Sequence, residues 1–150
     1  MIAIVDYGVG NLFSLQSSFA AIGAEAVVTA DEAVLQKADC VILPGVGAFA
    51  DAAAKLHSTG LDKVVCRLAE QGKPLMGICL GMQMLFEKSF EFGECKGLSL
   101  LKGYVDIISE KDLIIPHMGW NKLEIQNDCS LLEGIGDDAY VYFVHSYKAY

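Results

Sequence analysis

The chain has 150 residues, of which 19 are acidic and 11 basic, for a formal net charge of −8. That balance argues against nucleic acid or an anionic membrane surface as partner, since both require clustered positive charge. With 53% hydrophobic and 20% charged residues, the composition suits one globular domain with a proper core and much buried strand.

Residues 1–5 (Met-Ile-Ala-Ile-Val) read as a short buried strand, entered directly from Met1 without a signal peptide. Asp6-Tyr7-Gly8-Val9-Gly10-Asn11 follows as a turn, then a helix over 12–22 that stops at Gly23. A dinucleotide-binding fingerprint fails here, because its third glycine would fall at Phe13. A second strand is expected over 26–29, then a helix through Ala38 opened by a Thr29-x-x-Glu32 capping box. The third strand, 40–43, empties into Pro44-Gly45-Val46-Gly47-Ala48-Phe49. Two helical stretches come next. The second, 61–71, sets Leu61, Val64, Val65, Leu68 and Ala69 on one stripe, with Gly72 as its stop, and leaves Cys66 as an incidental surface thiol.

The apolar run 75–78 reads as a buried strand. It leads through Gly77-Ile78-Cys79-Leu80-Gly81 into Met82, Leu85 and Phe86 at helical spacing. Beyond Glu87 shorter strands are expected at 100–108, 113–115, 122–125 and 140–144, joined by turns. Strands alternating with helices give an α/β fold, a parallel-core sheet covered by helices on both faces, with antiparallel strands extending or flanking it in the second half. No linker or repeat interrupts it, so 1–150 is expected to be a single domain. No apolar run is long enough to cross a bilayer. The five cysteines are odd in number and contain no Cys-x-x-Cys pair, which fits neither a disulfide framework nor a zinc site. The expectation is a reduced cytoplasmic enzyme without metal or cofactor.

Gly-x-Cys-x-Gly between a strand and a helix has the features of a nucleophile elbow. A sharp turn needs small residues on either side of its apex, which Gly77 and Gly81 supply, and it leaves the Cys79 side chain exposed. The following helix would present free N–H groups and its positive end to a thiolate. The same pentapeptide is also met where a buried cysteine sits beside loop glycines. A cysteine nucleophile needs oxyanion donors and an acid–base partner. The Leu80 N–H lies just after Cys79, and the Val46-Gly47 turn, leaving the same sheet edge, can bring a second. His57 reads as a solvated helix residue, His117 sits in the turn Pro116-His117-Met118-Gly119-Trp120-Asn121, and His145 ends the strand Tyr142-Phe143-Val144-His145-Ser146-Tyr147. None is followed by a carboxylate in a His-x-Glu pattern, so the visible catalytic machinery is incomplete.

Taken together, these segments resemble the class I (triad) glutamine amidotransferases: Gly77-Ile78-Cys79-Leu80-Gly81-Met82-Gln83 their nucleophile motif, and Pro44-Gly45-Val46-Gly47 their oxyanion loop. The Asp6–Asn11, Pro116–Asn121 and Tyr142–Tyr147 segments narrow the resemblance to the branch formed by glutaminase subunits of imidazole glycerol phosphate synthases, enzymes of histidine biosynthesis. The resemblance implies a flavodoxin-like three-layer fold and hydrolysis of L-glutamine to glutamate and ammonia. The ammonia would pass to a (β/α)8-barrel cyclase, joined in a heterodimer, that also forms AICAR. By motif, Cys79 is the nucleophile and Val46, Gly47 and Leu80 border the oxyanion. Gln83 and Glu91 hold the amino-acid end of glutamine, with His145, Ser146 and Tyr147 in the wall of that pocket. Asn11, His117, Met118 and Trp120 are expected to face the cyclase.

The family's histidine–glutamate pair lies in a downstream Phe-His-Pro-Glu-like segment that the 150 residues do not contain. The expectation is therefore a domain lacking its C-terminal segment, unable by itself to turn over glutamine, with on the order of 100- to 10,000-fold lost for each missing acid–base role. Two other readings stand beside it: a non-catalytic partner-docking remnant, and another cysteine-elbow hydrolase. The second gives no reason for Gln83, Glu91 and the Pro-His-Met-Gly-Trp-Asn segment together.

Overall fold

Four short apolar segments carry the central sheet: β1 (Ile2–Val5), β2 (Ala26–Thr29), β3 (Cys40–Leu43) and β4 (Leu75–Gly77). They lie in the order β2-β1-β3-β4, and every pairing is parallel. Ile2 is level with Ala26 on one side and Cys40 on the other, and Val41 is level with Leu75. A parallel sheet must be covered, and its inner strands show it: Ala3, Ile4, Val5, Val41, Ile42 and Leu43 are all buried. The computed structural model describes residues 1–109, 114–127, 129–136 and 138–150.

Five helices connect or follow these strands: α1 (Leu12–Ala21), α2 (Glu32–Lys37), α3 (Phe49–Ser58), α4 (Leu61–Glu70) and α5 (Leu80–Gln83). Ala3, Val5, Val41 and Leu43, which share one face by strand alternation, join a single core with Leu35 of α2, Phe49, Ala52 and Leu56 of α3, and Leu61, Val64, Val65 and Leu68 of α4. The stripe on α4 is the expected one, except that Ala69 is only half-buried. Cys66 differs from the surface thiol anticipated for it. It is half-buried, with Sγ 3.8 Å from the Leu98 carbonyl oxygen, and burial pushes its thiol pKa up.

The chain divides by its contacts into two units, one of residues Met1–Asp106 with Ala149–Tyr150, the other Ile107–Lys148. The first unit also holds β5 (Lys88–Ser89) and β6 (Cys95–Lys96), paired antiparallel. These join β7 (Tyr104–Ile107) and β10 (Tyr147–Ala149) in a small sheet ordered β10-β7-β5-β6. The second unit is dominated by β8 (His117–Lys122) and β9 (Tyr140–His145), antiparallel along their full lengths, with a 3-10 turn at Ser130–Leu132 between them. The later strands thus form sheets of their own and do not add to the parallel one. Of the strand expected at 122–125 only Lys122 is in β8 and 123–125 are not strand, while residues 117–121, read as a turn, are extended. Of the strand expected at 113–115, Leu113 lies outside the described residues. Among the described residues no helix is long and apolar enough to cross a membrane.

The start of α2 differs from the expected capping box. The cap is Asp31, whose Oδ1 accepts from the Ala33 N–H at 2.7 Å, while Thr29 Oγ1 accepts from the Asp31 N–H at 3.0 Å. Glu32, instead of reaching back, meets Arg67 on α4 and the Gln36 amide. Asp31→Ala is therefore expected to cost about 1 kcal/mol in urea unfolding. No loss would mean that Thr29 caps the helix after all.

Candidate active site

Because β1 to β4 are parallel, their carboxyl ends share one edge, where α/β sheets bind ligands. Two adjacent strands deliver their connections there: β3 runs into residues 44–47, and β4 into Ile78 and Cys79. The Ile78 N–H donates to the Leu43 carbonyl at 3.0 Å, stitching the two strand ends together. Gly81 N–H then donates to the Ile78 carbonyl at 2.9 Å, while the Cys79 carbonyl accepts from the N–H groups of Met82 at 3.0 Å and Gln83 at 3.2 Å. The chain reverses within three residues, and Cys79 stands at its apex with an exposed side chain and φ 55°, ψ −119°. A non-glycine residue held there costs about 1–3 kcal/mol, a strain that the surrounding backbone bonds must offset.

Glycines make the reversal possible. A Cβ at Gly81 would lie 1.9 Å from the Leu43 carbonyl oxygen, and one at Gly77 would lie 2.4 Å from Met82 Cα. A Cβ at Gly45 would lie 2.6 Å from the Gly81 nitrogen and 2.9 Å from Leu80 Cβ. In each case the nearest atom is backbone and cannot swing aside. The 44–47 loop and the Cys79 turn are thereby pressed together, as the pairing of the two motifs required. The helix after Cys79 is shorter than expected: α5 is one turn, and Leu85 and Phe86 follow it outside any helix. A full helix dipole is therefore not aimed at the sulfur. What remains are free donors, because the Leu80 and Gly47 N–H groups hydrogen-bond to no other group among the described residues. Gly47 has φ +88° with open space around it, and Val46 is 53% exposed.

Both ends of the 44–47 loop are anchored by residues whose part in the site sequence reasoning missed. Tyr7, 3% exposed, donates its hydroxyl to the Pro44 carbonyl at 2.6 Å. Burial pushes its phenol pKa up to about 12, so the group stays a protonated donor at neutral pH. A Cβ at Gly10 would lie 3.0 Å from Pro44 Cβ, so the first turn of the chain leans directly on this loop. At the other end, Glu91 Oε2 accepts from the Phe49 N–H at 2.7 Å, capping α3, whose N-cap Ala48 has no side chain to do so. The buried Ser89 holds Glu91 in turn, its Oγ accepting the Glu91 N–H at 3.1 Å. Glu91, expected to face an α-ammonium group, thus has one carboxylate oxygen on the backbone beside the loop. Gln83 is half-buried on α5, one turn from Cys79. The visible cue to Tyr7 and Gly10 is an aromatic residue and two glycines directly after the first strand, whereas Glu91 is marked in the sequence for substrate and not for the loop.

Most of the remaining residues of interest lie in the second unit. His145 Nδ1 is 3.0 Å from the Tyr147 carbonyl oxygen, and its ring lies edge-on to that of His117 with centroids 5.6 Å apart. The Ser146 carbonyl accepts from the Ile108 N–H at 2.9 Å. His117 pairs with His145 across the ladder, and its Nε2 is 3.2 Å from Asn121 Oδ1. Strand alternation puts Met118 and Trp120 on the opposite face from His117, so the three do not form one surface. In the first unit, Asn11 caps α1, its Oδ1 accepting from the Ser14 N–H at 3.2 Å. His57, expected to be solvated, has Nδ1 2.7 Å from Asp62 Oδ2 and is otherwise exposed.

Comparison with known proteins gives a consistent picture. The profile of the family described as glutamine amidotransferase class-I matches residues 3–150. A protein of Oceanobacillus iheyensis named imidazole glycerol phosphate synthase subunit HisH is 48% identical over 147 residues, covering 98% of this chain and 73% of that protein. Its namesake in Aquifex aeolicus is 49% identical over 146 residues, covering 97% and 70%. A crystal structure of a glutamine amidotransferase superposes with a TM-score of 0.74 at 20% identity, covering 96% of this chain and 71% of that one, a likeness of fold.

Two outcomes follow from the geometry. Gly81→Ala forces a methyl onto backbone and is expected to cost at least about 3 kcal/mol in urea unfolding, whereas Gly136→Ala, with nothing within 4 Å, stays within about 0.5 kcal/mol. Equal midpoints for the two variants would disprove the interlock. In alkylation by iodoacetamide near neutral pH, followed by peptide mapping, the exposed Cys79 and Cys129 react first and Cys66 lags, because its raised pKa leaves less thiolate. Early labelling of Cys66 would contradict its burial.

Proposed function

The chain belongs to the class-I glutamine amidotransferases, and from that premise we propose that Cys79 is the nucleophile of its glutaminase reaction. The chain is a glutamine-hydrolysing enzyme of the imidazole glycerol phosphate synthase type, serving histidine biosynthesis. The observation that carries the assignment of Cys79 is its exposed side chain on a strained apex, next to the unpartnered Leu80 N–H and on a turn packed against the 44–47 loop.

Derived on this site, the reaction begins with Cys79 Sγ adding to the carboxamide carbon of glutamine. The carbonyl oxygen takes the charge and is met by the N–H groups of Leu80 and of the Val46–Gly47 turn. Collapse of the adduct breaks the C–N bond, releases ammonia and leaves a γ-glutamyl thioester, which water then hydrolyses to glutamate. Gln83 and Glu91 lie one turn from the apex and beside the loop, where the amino-acid end of glutamine would rest. For Ser146, Tyr147 and His145, in the second unit, the proposed contact with glutamine rests on the family resemblance alone. Proton transfer to the departing ammonia needs an acid–base side chain, and among the described residues none hydrogen-bonds to Cys79.

The ammonia acceptor in this reading is a (β/α)8-barrel cyclase bound as a heterodimer in the cytoplasm. The support lies in the second unit, where Met118, Trp120, Tyr140, Tyr142 and Val144 share one face of the β8–β9 pair and are each at least 53% exposed. Trp120 and Tyr142 lie edge to face across it, with ring centroids 5.4 Å apart. An exposed apolar face with paired aromatics suits a protein interface. His117 turns to the other face, and Asn11 is placed by its capping bond.

The γ-p-nitrophenyl ester of L-glutamate tests the nucleophile, because p-nitrophenolate leaves without a proton. Peptide mapping is expected to find one γ-glutamyl group on Cys79 and none after Cys79→Ala. Acylation spread equally over Cys129 would refute the assignment. For the interface, Trp120→Ala is expected to weaken binding to the cyclase at least about 10-fold in calorimetry while leaving the unfolding midpoint in place. Unchanged affinity would assign that face to something else.

A further inference from the structure

The 44–47 loop has little stiffness of its own. Gly45 and Gly47 lack the Cβ atoms that restrict a backbone, and Gly47 occupies φ +88° in open space. Its N–H groups serve an oxyanion only if the loop is held from outside. The Tyr7 hydroxyl does this at one point, 2.6 Å from the Pro44 carbonyl oxygen. That oxygen shares a peptide plane with the Gly45 nitrogen, so holding it orients the first peptide of the loop. The same peptide rests against Leu80 and Gly81, the residues directly after the apex. A phenylalanine would fill the same core position beside Val5 and Leu43, so the hydroxyl is not required for packing.

We propose that Tyr7 is a positioning residue for the acylation step, holding the 44–47 loop through the Pro44 carbonyl so that its N–H groups meet the developing oxyanion. The proposal rests on Cys79 being the nucleophile. Tyr7 touches neither substrate nor sulfur and acts through the loop. Gly10, leaning on the Pro44 ring, supports the same loop from the same turn of the chain.

Two reagents applied to the full chain separate this role from a general one. With the γ-p-nitrophenyl ester of L-glutamate, the Cys79 thiolate adds to the carbonyl carbon, charge moves to the carbonyl oxygen, and p-nitrophenolate departs as the thioester forms. With iodoacetamide, the same sulfur displaces iodide from an sp3 carbon, and no oxyanion arises. Tyr7→Phe is expected to slow acylation about 10- to 100-fold, since a misplaced loop loses much of what an oxyanion donor contributes. Alkylation of Cys79 should stay within about two-fold, because the thiol and its exposure are unaltered. Gly10→Ala, which pushes on Pro44 without removing the hydroxyl, is expected to give the same selective loss. It decides the matter if circular dichroism shows that Tyr7→Phe does not fold. Acylation at the wild-type rate in the folded variant, or a parallel fall in both reactions, overturns the positioning role. Acylation that survives Cys79→Ala, or that the wild-type chain does not show, refutes the nucleophile assignment instead.

Discussion

Everything at this site depends on backbone packed against backbone. The turn at Cys79 closes because Gly81 lies where a side chain would strike the Leu43 carbonyl oxygen, and because Gly45 rests on the Gly81 nitrogen. Glycine contributes no apolar surface to such a contact and loses more conformational freedom on folding than any other residue. The return is proximity. Two loops from adjacent strands approach more closely than side chains would allow, with Gly45 against the residues directly after Cys79. The positive φ of Cys79 belongs to the same arrangement, because the chain reverses too sharply there for an ordinary conformation.

A loop assembled from glycines is close-fitting but soft, and the surrounding fold supplies its rigidity. Tyr7 and Glu91 come from segments far apart in the chain, yet one binds the loop before its glycines and the other just after them. Ser89 fixes Glu91 by accepting its N–H, and the buried phenol of Tyr7 keeps its proton. Glu91 also caps the helix that follows the 44–47 loop. If it meets the amino-acid end of glutamine as proposed, substrate charge and loop geometry are coupled at one residue.

The second unit follows a different principle. Its two long strands pair residue for residue from His117 opposite His145 to Lys122 opposite Tyr140, and alternation sorts their side chains into two chemistries. One face carries the histidines with Phe143 and Asn121. The other carries Met118, Trp120, Tyr140, Tyr142 and Val144, all exposed. A two-stranded ribbon has too little area to bury both faces within itself, so an apolar face of this size is suited to a partner.

Much of this was legible in the chain, and the reasons are local. The boundaries of β2 and β3 matched because short apolar runs between turn residues leave few alternatives, and the α4 stripe matched because its period is that of a helix. The sharp turn at Cys79 was legible for the same reason, since small residues around a cysteine after a strand are a local requirement of such a reversal. Other features were decided by neighbours distant in sequence. Residues 117–121 look like a turn when read alone, with Gly119 among them, and become a strand because β9 offers a partner along their whole length. Glu32 fits a capping box by spacing, but Arg67 of α4 draws it away and Asp31 takes the cap. Cys66 lies off the apolar stripe, yet Leu98 closes over it. Tyr7 and Glu91 show the limit most clearly. Type and spacing along the chain determine which residues can react, but the contacts that hold a soft loop in place join segments tens of residues apart, and only the folded chain brings them within bonding distance.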